Sequence, residues 1–405
     1  MAKCAINGGS PVRTDPFPRW PVYDEKEREA LLKVLDSGVW GTLGPEVLKF
    51  NEKFAAYQGS KYGIAVTNGT VTLEILLRAL EIGPGDEVIV PPYTFNATVS
   101  SVLMVGATPV FADIESDTYN IDPASAEKAI TKNTKAVIVV HVGGRACDMD
   151  AFAATAAKHG LYILEDAAHA TGSEWKGTRV GAIGTAGSFS FQASKNLTAG
   201  EGGIITTNDE TLYDKCFSIH HCGRDIKSGI WYDHPNIGTN ARMSEWQAAI
   251  LNIQMERLDS QLETRMANAA YLDERLAEIP CMGIMRQDPR ANRIAYHLYL
   301  FKFFKEHCKN LSKEKFIEAV KAEGIPAAPG YARLYKQGML ATREAKRILG
   351  AGVSYENTYL ENAEKASEQE GMWLLHNVLL GTRKDMDDIA DAFIKIYENA
   401  DELVG

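Results

Sequence analysis

Two rhythms of apolar residues divide this chain. From residue 62 to 207, short apolar runs at 62–67, 87–90, 108–112, 136–141, 162–165, 186–191 and 203–207 alternate with stretches at 71–80, 97–105, 123–130 and 150–159 in which apolar residues return every third or fourth position. The first rhythm suits strands and the second suits amphipathic helices. Their alternation predicts an α/β domain around a mostly parallel sheet buried on both faces. Ahead of it, residues 23–37 place Ala30, Leu31, Leu32, Val34 and Leu35 at helical spacing, 38–45 read as a loop, and 47–57 read as a second helix. Trp40 in that loop reads as a packing residue rather than a substrate-facing ring. After Gly238 the rhythm is helical. Residues 243–276 read as one long amphipathic stretch, followed by a strand at 296–303 and helices at 313–323 and 386–399. The expected division is a large α/β domain over residues 1–260 and a smaller C-terminal α+β domain over 261–405.

A chain of 405 residues, 45% of them hydrophobic, buries a large core. Its formal charge of −10 repels phosphate backbones and anionic bilayers, so neither nucleic acid nor membrane is an expected partner. The longest apolar runs, such as 135–142, fall far short of a membrane span, and residues 1–9 hold no signal-peptide core. The cytoplasm is therefore the expected location. Six cysteines are scattered without a CxxC pair, which predicts reduced thiols and neither a disulfide framework nor a zinc site. Cys216 and Cys222 bracket His220 and His221, but no second ligand pair stands at a familiar spacing, so no metal is expected there.

The polar residues with chemical use fall where the predicted strands end, and ligands of open α/β sheets sit beyond the carboxyl ends of strands. Lys195 lies between the alternating run Ser188, Phe189, Ser190, Phe191 and a small-residue turn that reaches Gly203. An amine held among apolar groups has its ammonium form penalised, so its pKa falls and it becomes able to condense with an aldehyde. Most lysines are solvated, so Lys195 alone decides nothing. Glu165 and Asp166 close another strand, with His169 just beyond. An acid so placed either caps the next turn or faces a ligand, and a carboxylate against a pyridine nitrogen keeps that nitrogen protonated. Phe95, after a third strand, either stacks on a flat ring or packs in the core. Asn68-Gly69-Thr70 joins a strand to a helix, which presents free N–H groups to a phosphate or merely caps the helix.

Lysine, strand-end acid, aromatic platform and Gly-Thr turn together describe a pyridoxal 5′-phosphate (PLP) pocket. With these motifs, and with Pro-Tyr-Thr-Phe at 92–95, Phe111-Ala112-Asp113 and the runs 141–150, 165–169, 188–203 and 238–243, the chain resembles the DegT/StrS-type sugar and cyclitol aminotransferases over nearly its whole length. The resemblance implies fold type I of the PLP-dependent transferases. It implies that Lys195 carries the cofactor as an imine and later moves the proton, that Asp166 pairs with the pyridinium nitrogen, and that Phe95 stacks on the ring. Gly69, Thr70 and Ser190 would hold the phosphate, and His169 would stand near the ring hydroxyl. Asn240 would reach the phosphate of the neighbouring subunit, which implies a homodimer with shared sites. Arg242 is divided between orienting its loop and contacting substrate.

The implied reaction moves an amino group from glutamate or glutamine to the cofactor and then to a ketone on a cyclitol or sugar ring. Residues 6–13, 330–335 and 373–381 are closer to the branch of glutamine:scyllo-inosose aminotransferases and 3-amino-5-hydroxybenzoate synthases than to the nucleotide-keto-sugar branch. Tyr331, Tyr335 and His376 are its candidate pocket walls. Two alternatives stand beside this reading. One is a PLP-dependent lyase or dehydratase, whose relatives carry histidine where Lys195 stands. The other is a non-catalytic PLP-binding regulatory protein, in which site residues would be missing.

Overall fold

The structure, a computed structural model, describes residues 3–404 apart from 226, 231 and 351. Two helices, α1 (Glu25–Ser37) and α2 (Pro45–Gln58), precede strand β1 (Tyr62–Val66) and helix α3 (Gly69–Ala79). Strands and helices then alternate: β2 (Glu87–Val90), α4 (Ala97–Met104), β3 (Thr108–Phe111), α5 (Pro123–Lys128), β4 (Thr134–Val140), α6 (Met149–His159) and β5 (Tyr162–Asp166). A small hairpin, β6 (Glu174–Trp175) and β7 (Thr178–Arg179), separates these from β8 (Ala186–Ser190), β9 (Gly203–Thr207) and α7 (Glu210–His220). Seven strands form one sheet in the order β1-β9-β8-β5-β4-β2-β3. Its strands run parallel from β3 to β8, and β9 lies antiparallel to both of its neighbours.

Burial on both faces explains why the strands read as unbroken apolar runs. In β4, Ala136, Ile138 and Val140 pack with Leu73 and Leu76 of α3 and Val99 and Val102 of α4. The intervening Val137 and Val139 pack on the opposite face, with Phe50 and Phe54 of α2 and Phe152 of α6.

The expected helix over 243–276 is two helices, α8 (Glu245–Gln254) and α9 (Leu258–Ala277), joined by a tight turn at Met255–Arg257. The two halves have different partners: α8 lies against α1 and α2, whereas α9 lies against β10 (Met282–Ile284) and the last long helix, Arg383–Glu398. With β11 (Leu298–Phe303), β12 (Ala328–Pro329) and β13 (Gly371–Leu375), β10 forms an antiparallel sheet in the order β10-β11-β13-β12. Phe301, Phe316 and Phe393 lie in its buried cluster, and the N-terminal residues Cys4, Ile6 and Val12 pack there as well. No helix among the described residues is long and apolar enough to cross a membrane.

Trp40 departs from its expected packing role. It is 53% exposed and tilts against Trp246 at 5.8 Å between ring centres. The loop it occupies lies at the surface, so the indole has no core to enter.

Candidate active site

A cavity of about 610 Å³ opens at the carboxyl ends of the parallel strands. The turn after β1 (Asn68, Gly69, Thr70), the turn after β2 (Thr94, Phe95), the end of β5 and the turn after it (Asp166, His169) and the end of β8 and the turn after it (Ser190, Lys195) contribute to it together with Glu201, and His297 and Tyr331 arrive from the C-terminal part. Gly69, Thr70, Phe95, Asp166, His169, Ser190 and Lys195 are brought together here. Asn240 is not: it is exposed, paired through its backbone with His221, and outside this chain's own cavity.

Strand alternation separates the two acids that close β5, because neighbouring residues face opposite sides of the sheet. Glu165 points away from the cavity. Its carboxylate accepts from the N–H groups of Gly181 (2.7 Å), Ile183 (2.8 Å) and Gly184 (2.6 Å) and meets His141 Nε2 at 3.1 Å. That acid is spent on holding a loop. Asp166 faces the cavity, accepting from Thr98 Oγ1 at 2.9 Å and from the Ala168 N–H at 3.3 Å. Burial raises its pKa, against these two bonds and the nearby Lys195 charge.

Lys195 follows β8 in a turn closed by its own N–H donating to the Gln192 carbonyl at 2.8 Å. Burial lowers its pKa to about 8, with Asp166 the opposing influence. The amine is thus poised near neutrality, as a nucleophile or proton acceptor requires.

The start of α3 forms the opposite end of the cavity. Asn68 caps the helix by accepting from the Val71 N–H at 3.0 Å. The earlier N–H groups of a helix have no intrahelical acceptor. A Cβ on Gly69 would lie 2.7 Å from Ser190 Cβ, so only glycine lets the serine hydroxyl close on the helix start.

His169 is buried, and its Nδ1 accepts from the Gly143 N–H at 3.3 Å. The ring hydrogen therefore sits on Nε2, 3.5 Å from the Tyr331 hydroxyl. His297 packs on His169 at 4.3 Å between ring centres. Burial pushes both imidazoles well below their ordinary pKa, so both are neutral at pH 7.

Sequence reasoning missed Thr98 and His297. A threonine in the first turn of a helix whose buried face is otherwise mostly apolar was a usable signal for the first. No local signal marks His297, which reaches the cavity only because β11 packs beside it. Tyr331 lines the cavity. Tyr335 does not: its hydroxyl donates to Glu364 at 2.8 Å in a different part of the molecule. His376 lies behind the lysine turn rather than in the cavity wall. Arg242 lies outside the lining of this chain's cavity, and its Nη1 is 3.2 Å from both His221 Nδ1 and Cys222 Sγ.

The sequence profile described as the DegT/DnrJ/EryC1/StrS aminotransferase family matches residues 21–393. The chain belongs to that family. It is 37% identical over 422 residues to an L-glutamine:2-deoxy-scyllo-inosose aminotransferase of Streptomyces paromomycinus, covering 99% of each chain. It is 36% identical over 382 residues to the 3-amino-5-hydroxybenzoate synthase of Amycolatopsis mediterranei, covering 93% of this chain and 96% of that one. Among solved structures, the aminotransferase from Psychrobacter cryohalolentis superposes with a TM-score of 0.88 at 34% identity, over 95% of this chain and 100% of the other. The fold is that of the type I PLP-dependent transferases.

As a DegT/DnrJ/EryC1/StrS aminotransferase the protein uses PLP, and its cavity fits that group. The Gly69 cradle and the open helix start suit a phosphate. Asp166 is a buried carboxylate made costly by desolvation, a cost that a cationic ring N–H would offset.

Proposed function

We propose that this aminotransferase takes the amino group of glutamine or glutamate and delivers it to a ketone on a cyclitol ring. We also propose that it works as a cytoplasmic homodimer. The observation that carries the first reading is the side-chain chemistry around Lys195. Apart from that lysine, no described lysine or arginine lines the cavity, while His169, His297 and Tyr331 offer neutral hydrogen-bonding groups. With the helix start given to the cofactor phosphate and Glu201 in the wall, such a lining suits an uncharged polyhydroxylated ring better than a nucleotide diphosphate, which would find no further cation there. The names of relatives at 36–37% identity, a glutamine:deoxy-scyllo-inosose aminotransferase and a 3-amino-5-hydroxybenzoate synthase, support the same substrate class.

When bound, PLP supplies an electron sink that stabilises a carbanion next to nitrogen. Asp166 would hold the ring nitrogen protonated, and Gly69, Thr70 and Ser190 would anchor the phosphate. Phe95, 59% exposed at the cavity edge, would cover the ring face. Lys195 Nζ would hold the cofactor at rest and, once displaced by substrate, would move a proton from the α-carbon of the donor to the former aldehyde carbon of the cofactor, and in the second half-reaction from that carbon to the carbon of the acceptor that takes the nitrogen. A dehydratase reading lacks support because Lys195 is present. A purely regulatory reading lacks support because the anticipated cofactor residues on this chain converge.

The test loads the protein as its pyridoxamine form and adds scyllo-inosose, 2-deoxy-scyllo-inosose or a nucleotide keto-sugar in parallel. The cyclitol ketones should restore the absorbance of the original cofactor. Reaction with the nucleotide sugar alone would transfer the assignment to the other branch.

A further inference from the structure

The turn that carries Lys195 is gripped from outside the strand that feeds it. Trp20 Nε1 donates to the Ala193 carbonyl at 3.0 Å. His376 Nε2 lies 2.9 Å from the Ser194 carbonyl. Beyond the lysine, Asn196 donates through Nδ2 to the Ala295 carbonyl at 2.6 Å, and its Oδ1 lies 3.2 Å from His297 Nδ1. Residues on both sides of Lys195 are therefore tied to the N-terminal segment and to the C-terminal part of the chain.

The His376 contact has its direction set by a further residue. Arg265 is wholly buried, and its Nη2 lies 3.1 Å from His376 Nδ1. A guanidinium only donates, so Nδ1 accepts, and the ring hydrogen sits on Nε2, aimed at the Ser194 carbonyl. Arg265 Nε and Nη1 meet no hydrogen-bond partner among the described residues. Its nearest compensation is the Trp20 ring, 5.4 Å away. A buried guanidinium without an acid is expensive. Its directed contact here is the one that orients His376.

We infer that His376, oriented by Arg265, is a positioning residue that holds the Ser194 carbonyl and so keeps the Lys195 amine in the cofactor cavity. This rests on the reading of Lys195 as the cofactor lysine. His376 follows β13 directly, so the antiparallel sheet of the C-terminal part sets the placement of an amine that belongs to the parallel sheet.

The test reads Lys195 in the protein freed of cofactor, by competitive labelling of lysine amines with acetic anhydride from about pH 6 to 11 and peptide mass spectrometry. In the unaltered protein Lys195 should label with a midpoint of about 8. His376→Gln keeps a donor for the carbonyl and should hold that midpoint within about 0.3 unit. His376→Leu fills similar space without a donor. It should move the midpoint toward an ordinary lysine by about one unit, or about tenfold less free amine at pH 7. Equal midpoints for both variants, whether unshifted or shifted together, overturn the inference. Should His376→Leu fail to fold, Arg265→Met must shift Lys195 in the same direction, and an unshifted midpoint overturns it. Borohydride reduction of the PLP-loaded protein checks the underlying reading separately. A modified lysine other than 195 removes that reading, while the labelling comparison still decides whether His376 positions residue 195.

Discussion

Adjacent residues of like charge have unrelated roles when a strand separates them, as Glu165 and Asp166 do. The sequence showed two acids at a strand end, and the resemblance singled out Asp166. The reason lies in which side of β5 each faces: three backbone N–H groups wait for Glu165, and the cavity waits for Asp166. Lys195 illustrates the cost of such a site. Its pKa in the fold, about 8, lies below its ordinary 10.5. The folded state therefore binds fewer protons than the unfolded chain between those values, and stability rises with pH across that window. Below about pH 8 the fold carries the full cost of the partly buried ammonium. Lys195→Met should accordingly stabilise the cofactor-free protein at pH 7 by no more than about 3.5 kcal/mol, seen as a higher melting temperature. That advantage should shrink as pH rises from 8 toward 10.5, which thermal melts across pH would show.

Among the elements, the parallel strands were the most legible, because burial on both faces leaves little room for polar residues. Helix α7 escaped notice although Leu212, Cys216, Phe217 and Ile219 are buried along it. Strand β13 also escaped, since Met372, Trp373, Leu374 and Leu375 form an apolar run too short to tell strand from helix. The break at Met255–Arg257 has no sequence mark either; it exists because α8 and α9 pack on different partners. At the junction of β1 and α3, by contrast, glycine is read easily and its reason is spatial. Gly69→Ala would force a Cβ into Ser190. It should weaken PLP affinity by about tenfold or more, about 1.4 kcal/mol, in a fluorescence titration. It should also cost the cofactor-free protein about 1–3 kcal/mol of stability through overpacking.

For the whole molecule, the proposed homodimer makes Asn240, which is exposed and outside this chain's own cavity, a residue of the partner's site. Lys195→Ala and Asn240→Ala proteins should each be inactive or nearly so alone. Unfolded together and refolded as a mixture, they should recover about a quarter of wild-type activity, since half the dimers are hybrids and each hybrid keeps one intact site. No recovery, in a mixture shown to contain hybrid dimers, would place Asn240 outside the shared site. The sequence by itself determined the α/β class, the lysine, the strand-end acid and the glycine turn, because each follows from local period or from motifs that lie within one stretch of chain. Tertiary structure alone decided that Glu165 is turned onto three backbone N–H groups, that His297 joins the cavity, and that Trp20 and His376 close on the lysine turn. Those contacts link residues as far apart as 173 and 182 positions, and no local rhythm of apolar residues encodes a meeting across that distance.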